Sequence, residues 1–182
     1  MLTNGTANRD KQEELAPALF FAPFVSSRMA IRSDWIDYNG HLSMAYYHVL
    51  FDQAVDEAFG LCGLGPDYLR ERGHSFFLVE SRIRYRRELK LEDAVRVTLQ
   101  LVDFDEKRLH YVMEIRHAQE GWLSAACENL SINVDMATRR AAPFPVDILA
   151  NLAMMKASHA DLPRPDMLGE GVFMARRSPG IN

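Results

Sequence analysis

Five residues, Asp37-Tyr38-Asn39-Gly40-His41, place a carboxylate, an amide, a glycine and an imidazole in one short turn directly before a strongly patterned apolar segment. A carboxylate at that position suits direct attack on an acyl carbonyl, or activation of the water that attacks it. The free N–H groups and positive dipole end of a following helix suit the oxyanion that develops. Gly40 supplies the positive φ of a tight turn and lets a substrate approach the backbone. The same residue types also make ordinary helix caps. Asp37 is therefore read two ways at this point, as a catalytic carboxylate or as a cap, and Asp34 as a turn residue. His41 fits a structural part, holding the turn by hydrogen bonds, as well as a substrate contact.

The elements that must position this turn follow from hydrophobic periodicity. Tyr47, Leu50, Phe51, Ala54, Val55, Ala58 and Phe59 recur at helical spacing, His48, Asp52, Gln53, Asp56 and Glu57 take the other face, and Gly60 offers a stop. A short strand is expected over 24–31 and a short polar helix over about 67–72. From His74 the period becomes two, with Phe77, Val79, Ser81, Ile83 and Tyr85 on one face and Phe76, Leu78, Glu80, Arg82, Arg84 and Arg86 on the other. Further strands are expected near 95–101, 109–115 and 122–135. The last slips by one residue in its apolar phase between Cys127 and Leu130, which implies a bulge or burial of both faces. One long helix with four successive antiparallel strands is an α+β pattern, and a sheet wrapped around one central helix is the hotdog fold. Another helix is expected within 145–157. Residues 1–16 read as a flexible tail, 17–157 as the domain, and 158–182, with Pro163, Pro165 and Pro179, as a second flexible tail.

Composition narrows the function classes. A length of 182 residues suits one domain with a real core. A net charge of -4 argues against nucleic acid or an anionic membrane surface as partner, and the apolar run Leu15–Val25 is too short to span a bilayer. Cys62 and Cys127 lie far apart without metal spacing, so reduced thiols and a cytoplasmic location are expected. His41, His48 and Asp52 show no tight ligand spacing, so no metal is expected. Gly60, Gly63 and Gly65 follow no strand and make no dinucleotide fingerprint.

The turn, followed by Tyr47 and Phe51, resembles the motif of 4-hydroxybenzoyl-CoA-type acyl-CoA thioesterases, in element order as well as in residues, over roughly 24–145. It departs from that motif at Ser43 and Met44, where asparagines are common. Trp35 through His41, Val79-Glu80 with Ile83-Arg84, and Asp105 through His110 are similar to the thioesterases associated with carnitine dehydrogenases. The resemblance implies hydrolysis of a small acyl-CoA, betainyl-CoA among the candidates, with no cofactor beyond the CoA of the substrate. It implies catalytic parts for Asp37, Gly40, His41 and Tyr47, substrate contacts at Trp35, Tyr38, Asn39, Phe76 and Glu80, and a homodimer or homotetramer with the site between subunits. A quaternary ammonium suits the aromatics Trp35, Tyr38, Tyr47, Phe76 and Phe77, with Glu80 as counter-charge. The apolar Phe76 and Leu78 on the second face of their strand also argue for association. Arg82, Arg84, Arg139 and Arg140 are candidates for the CoA phosphates, although a solvated or interface face accounts for the strand arginines equally well.

Two other readings compete. A hotdog hydratase or dehydratase is expected to carry an Asn-Pro step, which does not occur here. A catalytically silent acyl-CoA-binding regulator is expected to carry a DNA-binding helix pair, for which the roughly 20 residues before the first strand leave too little room.

Overall fold

The computed structural model describes residues 20–169 and residue 171. The expected N-terminal tail, 1–16, lies outside them, as do residues 170 and 172–182 of the expected C-terminal tail. The expected first strand is two short pieces, β1 (Phe24–Val25) and β2 (Met29–Ala30). The central helix α1 runs Met44–Gly60, and a second helix, α2, covers Pro66–Arg72. Four long strands follow: β3 (His74–Tyr85), β4 (Ala94–Phe104), β5 (Arg108–His117) and β6 (Leu123–Asp135). The chain then forms the two-residue strand β7 (Arg140–Ala141) and the helix α3 (Val146–Ser158).

The sheet is antiparallel in the order β1-β4-β5-β6-β3, with β2 beside β4 and β7 beside β6. The periodic apolar face of α1 is buried against it, as the spacing predicts: Leu50, Ala54, Ala58 and Phe59 are fully enclosed. Phe59 meets Tyr111 of β5 edge-on at 5.1 Å, which fixes the far half of the helix on the sheet. This is a hotdog arrangement, one helix wrapped by one antiparallel sheet.

The two-residue alternation expected for β3 is interrupted. The register passes from Leu78 opposite Ser131 to Glu80 opposite Leu130, so Val79 is an extra residue in the ladder. Phe76 and Leu78 therefore share the helix side of the sheet with Ser81 and Ile83, while Phe77, Glu80 and Arg82 share the outer side. Phe76 meets Phe59 edge-on at 5.6 Å on that inner side. The sequence-based assignment of Phe76 and Leu78 to one face with Glu80 and Arg82 is thus corrected, because a bulge inverts every side chain beyond it. The phase slip in β6 has a different origin, a change of residue type on the inward face rather than a bulge in that strand. The pairing of β6 with β5 runs unbroken from Ala125 to Ile132, and inward positions change from Ala125 and Cys127 to the buried polar residues Asn129, Ser131 and Asn133.

Residues 159–169 pack onto the sheet. Buried His159 accepts the Leu101 N–H on Nδ1 at 3.0 Å, beside the β4 bulge at Val102, and its Nε2 bonds the Phe21 carbonyl at 3.1 Å. Met167 is buried and its carbonyl accepts from Arg82. The tail expected from residue 158 is therefore tied to the domain through these residues.

Candidate active site

The turn is built before the helix begins. Ile36 and Leu42 form an antiparallel bridge, the Asp37 N–H donates to the His41 carbonyl at 3.0 Å, and the Gly40 N–H donates to the Asp37 carbonyl at 3.0 Å. Gly40 takes φ +80°, and a Cβ there would meet nothing within 4 Å, so its glycine is required by conformation rather than by crowding. The Asp37 carboxylate accepts the Asn39 N–H at 2.8 Å, and His41 Nδ1 lies 3.8 Å from its other oxygen and 3.3 Å from the Leu42 carbonyl. Two backbone bonds anchor the exit: Leu42 N–H to the Leu89 carbonyl at 2.7 Å and Ser43 N–H to the Trp35 carbonyl at 2.9 Å.

Ser43 stands at the N-cap of α1, its side chain makes no cap hydrogen bond, and no acidic residue occupies the first turn. The capping reading of Asp37 fails on this geometry. Its carboxylate closes an Asx turn ahead of the helix and leaves the first N–H groups of α1 to other acceptors. Trp35 is buried and stacks on Tyr46 at 5.3 Å, with the Arg32 guanidinium 5.4 Å from its ring, so it is a platform under the turn. Tyr47 is buried edge-on to Tyr85 at 5.0 Å, and burial raises its hydroxyl pKa, which keeps it a neutral donor. Tyr38 and Asn39 stand exposed at the tip of the turn. Trp35, Asp37, Tyr38, Asn39, Gly40, His41 and Tyr47 are thus gathered at the head of α1.

The remaining predicted residues lie elsewhere in the protomer. Glu80 and Arg82 line a cavity of about 680 Å³ that includes His110 and Glu128. Arg82 is bound to Glu128 at 2.8 Å and to the Met167 carbonyl, and Glu128 also bonds His110 at 3.0 Å and the Gly169 N–H at 3.1 Å. Burial opposes ionisation of Glu128, but Arg82, His110 and the Gly169 N–H outweigh it and hold the carboxyl below its ordinary range. Arg84 sits opposite Ala126 in the ladder. Arg139, at φ +57°, lays its guanidinium 5.5 Å from the Phe77 ring, and Arg140 is paired across the ladder with Asp135. Phe77 and Tyr85 lie eight residues apart on β3, about 26 Å at strand rise. Arg139 and Arg140 therefore stand at the opposite end of the strand from the turn.

A second cavity, about 550 Å³, opens between α1 and β3 and is lined by Asp52, Asp56, Phe76, Tyr111 and Asn129 among others. Sequence reasoning assigned Asp52 and Asp56 to a polar helix face and passed over Asn129. The available signal was Asn129, Ser131 and Asn133 at strand period inside an otherwise apolar element. Cys62 and Cys127 are no rivals as nucleophiles, because burial pushes each thiol up to about 12.

The model of the thioesterase-like superfamily matches residues 31–152, which contain the turn, α1 and all four long strands. The chain belongs to the thioesterase-like superfamily. Among curated relatives, this thioesterase-like chain is 36% identical over 146 residues to an L-carnitine dehydrogenase/betainyl-CoA thioesterase of Rhizobium meliloti (strain 1021), covering 80% of this chain and 29% of that protein. It thus spans less than a third of that relative's length. It is 33% identical over 136 residues to a betainyl-CoA thioesterase of Pseudomonas aeruginosa, covering 75% of this chain and 86% of that one. Among solved structures, a Staphylococcus aureus protein in complex with CoA superposes with a TM-score of 0.79 at 26% identity, covering 88% of this chain and 100% of that chain. Among the described residues no helix is long and apolar enough to cross a membrane. In the thioesterase-like chain the chemistry available at the head of α1 is a carboxylate and a set of uncapped helix N–H donors within one turn.

Proposed function

We propose that this protein is an acyl-CoA thioesterase that splits a small acyl-CoA with water into the free acid and CoA thiol. The observation that carries the reading is Asp37, held in an Asx turn ahead of a helix N-terminus whose N-cap side chain makes no cap bond. The thioester carbonyl oxygen points at the first N–H groups of α1, where the dipole favours the oxyanion. The Asp37 carboxylate either adds to the carbonyl carbon, giving an anhydride that water then opens, or draws a proton from the water that adds. In both routes the C–S bond breaks and CoA departs as its thiolate, which takes up a proton. Betainyl-CoA is the leading substrate, supported by the relatives named for it at 36% and 33% identity.

The working form is at least a dimer joined along β3. That strand is the sheet edge, twelve residues long, with Leu78 and Val79 more than half exposed. An antiparallel twofold pairing centred near Val79 sets Ile83 of one copy opposite Ser75 of the other. It therefore carries the turn of one copy toward the far half of α1 in its mate. Free, buried cysteines support a reducing, cytoplasmic setting.

Release of CoA thiol from a panel of acyl-CoAs tests the reading. Turnover is expected, with betainyl-CoA among the best substrates; a panel that releases no thiol overturns it.

A further inference from the structure

The cleft between α1 and β3 has an unusual polar inventory for a cavity with an apolar frame. Asp52 and Asp56 are one helical turn apart and both line it, and His48 is the lone basic side chain among its lining residues. Asn129 lines it too, on the helix side of the sheet. Its side-chain nitrogen is engaged by the sulfurs of Cys127 at 3.1 Å and Met113 at 3.7 Å. Among the described residues its oxygen has no hydrogen-bond partner, although the residue is only 5% exposed. A buried acceptor left unpaired costs free energy, and two carboxylates at i,i+4 repel each other. Burial first, and then the neighbouring Asp52, raise the Asp56 pKa. The neighbouring Ser131 hydroxyl is hydrogen-bonded to the Tyr111 hydroxyl at 3.0 Å. The walls between the polar groups are aromatic: Phe51, Phe76 and Tyr111.

We infer that this cleft is a cation subsite, in which Asp52, Asp56 and the Asn129 oxygen, framed by the aromatic rings, receive the positively charged head of the acyl group. The inference rests on the thioesterase reading above and deepens it by naming what selects the acyl group. The charge is supplied by the helix carboxylates rather than by Glu80, which the Val79 bulge puts on the outer side of the sheet. A quaternary ammonium suits the site because it is weakly hydrated, bears no donor that needs a directed partner, and attracts both ring faces and carboxylates. From Met44 to Asp52 is eight residues, about 12 Å of helix. The turn of the same copy is therefore too distant to serve a short acyl group in this cleft. The twofold pairing along β3 brings the turn of the second copy to it instead, so the cation subsite and Asp37 come from different copies.

The test compares betainyl-CoA with 3,3-dimethylbutyryl-CoA, in which a neutral tert-butyl group replaces trimethylammonium at the same shape. The readout is the ratio of the two kcat/KM values in the wild type, Asp52→Asn, Asp56→Asn and the surface control Glu71→Gln, each first checked for cooperative melting. Glu71 is an exposed carboxylate on α2, paired with Arg70 outside the cleft. The wild type is expected to favour the cation by about tenfold or more, and each aspartate substitution to reduce that ratio by about tenfold, while Glu71→Gln leaves it in place. A wild-type ratio near one, a ratio that survives both aspartate substitutions, or a ratio that Glu71→Gln lowers equally overturns the subsite while leaving the hydrolase standing. If neither thioester is cleaved, the acyl-CoA panel decides the hydrolase reading and calorimetric titration with tetramethylammonium decides the subsite. Saturable binding lost in both aspartate variants keeps it, and absence of binding removes it.

Discussion

The Asp37 carboxylate accepts the backbone N–H of Asn39 at 2.8 Å, two residues ahead in the turn, and not an N–H of the helix that follows. One oxygen is thereby oriented, and the other accepts from the Asn39 side-chain amide at 3.5 Å and faces His41 at 3.8 Å. Replacing Asp37 by Asn keeps the acceptor for the turn, so the melting temperature is expected to stay close to that of the wild type. Turnover is expected to fall by about 10²–10⁴, the worth of a positioned base. Label found in the Asp37 carboxylate after single-turnover hydrolysis in ¹⁸O-water identifies the anhydride route, because only water attack on the Asp37 carbonyl of the anhydride places it there. An Asp37→Asn protein with wild-type kcat would remove the assignment.

Gly40 sits at φ +80° with open space where a Cβ would be. Gly40→Ala is therefore expected to cost only the conformational penalty, about 1–2 kcal/mol, read by urea unfolding. Because the same residue closes the turn on the Asp37 carbonyl, kcat should drop more than stability suggests. Equal unfolding midpoints for the two proteins would show that the turn adapts without cost.

The exposed edge of β3 predicts association. Scattering or sedimentation should give a mass of at least twice 20.8 kDa. Leu78→Arg, which puts a charge on a residue 51% exposed in one protomer, should shift the protein toward monomers and lower activity with it. A fully active, stable monomer would contradict a site shared between copies.

His159 predicts a pH dependence of stability. Burial lowers its pKa from the ordinary 6.5, against the smaller opposing effect of the Phe21 carbonyl. Its Nδ1 must stay unprotonated to accept the Leu101 N–H. The unfolded chain then binds the proton more readily than the folded one, so stability from this group is fully present above about pH 6.5. It is lost as pH falls below that value, until the folded-state ring itself protonates. Thermal melts from pH 7.5 to 5 should show the decline. His159→Gln should cost about 1–3 kcal/mol at pH 7.5 and flatten this part of the curve. An unchanged slope in the variant would assign the pH dependence to other groups.

What the sequence determined by itself is what is written in neighbouring residues. The apolar spacing from Tyr47 to Phe59 is enough for α1, because a helix is set by contacts three and four residues apart. The turn at Asp37–His41 was legible for the same reason: an Asx carboxylate, a positive-φ glycine and their hydrogen bonds all lie within five residues. The β4-β5 and β5-β6 hairpins followed from alternation and short turns, such as the one where Asp105 accepts the Lys107 and Arg108 N–H groups, whereas the place of β3 beside β6 rather than β4 did not. Tertiary structure alone decided which face Phe76 and Glu80 occupy, since the Val79 bulge exists only in the register between β3 and β6, strands about fifty residues apart. It also decided that Arg82 is held by Glu128, that His159 returns to Leu101, and that Asp52, Asp56 and Asn129 line one cleft. A side chain's partner across a sheet depends on registration summed over the intervening chain, and a single misplaced residue inverts it; no local pattern carries that information.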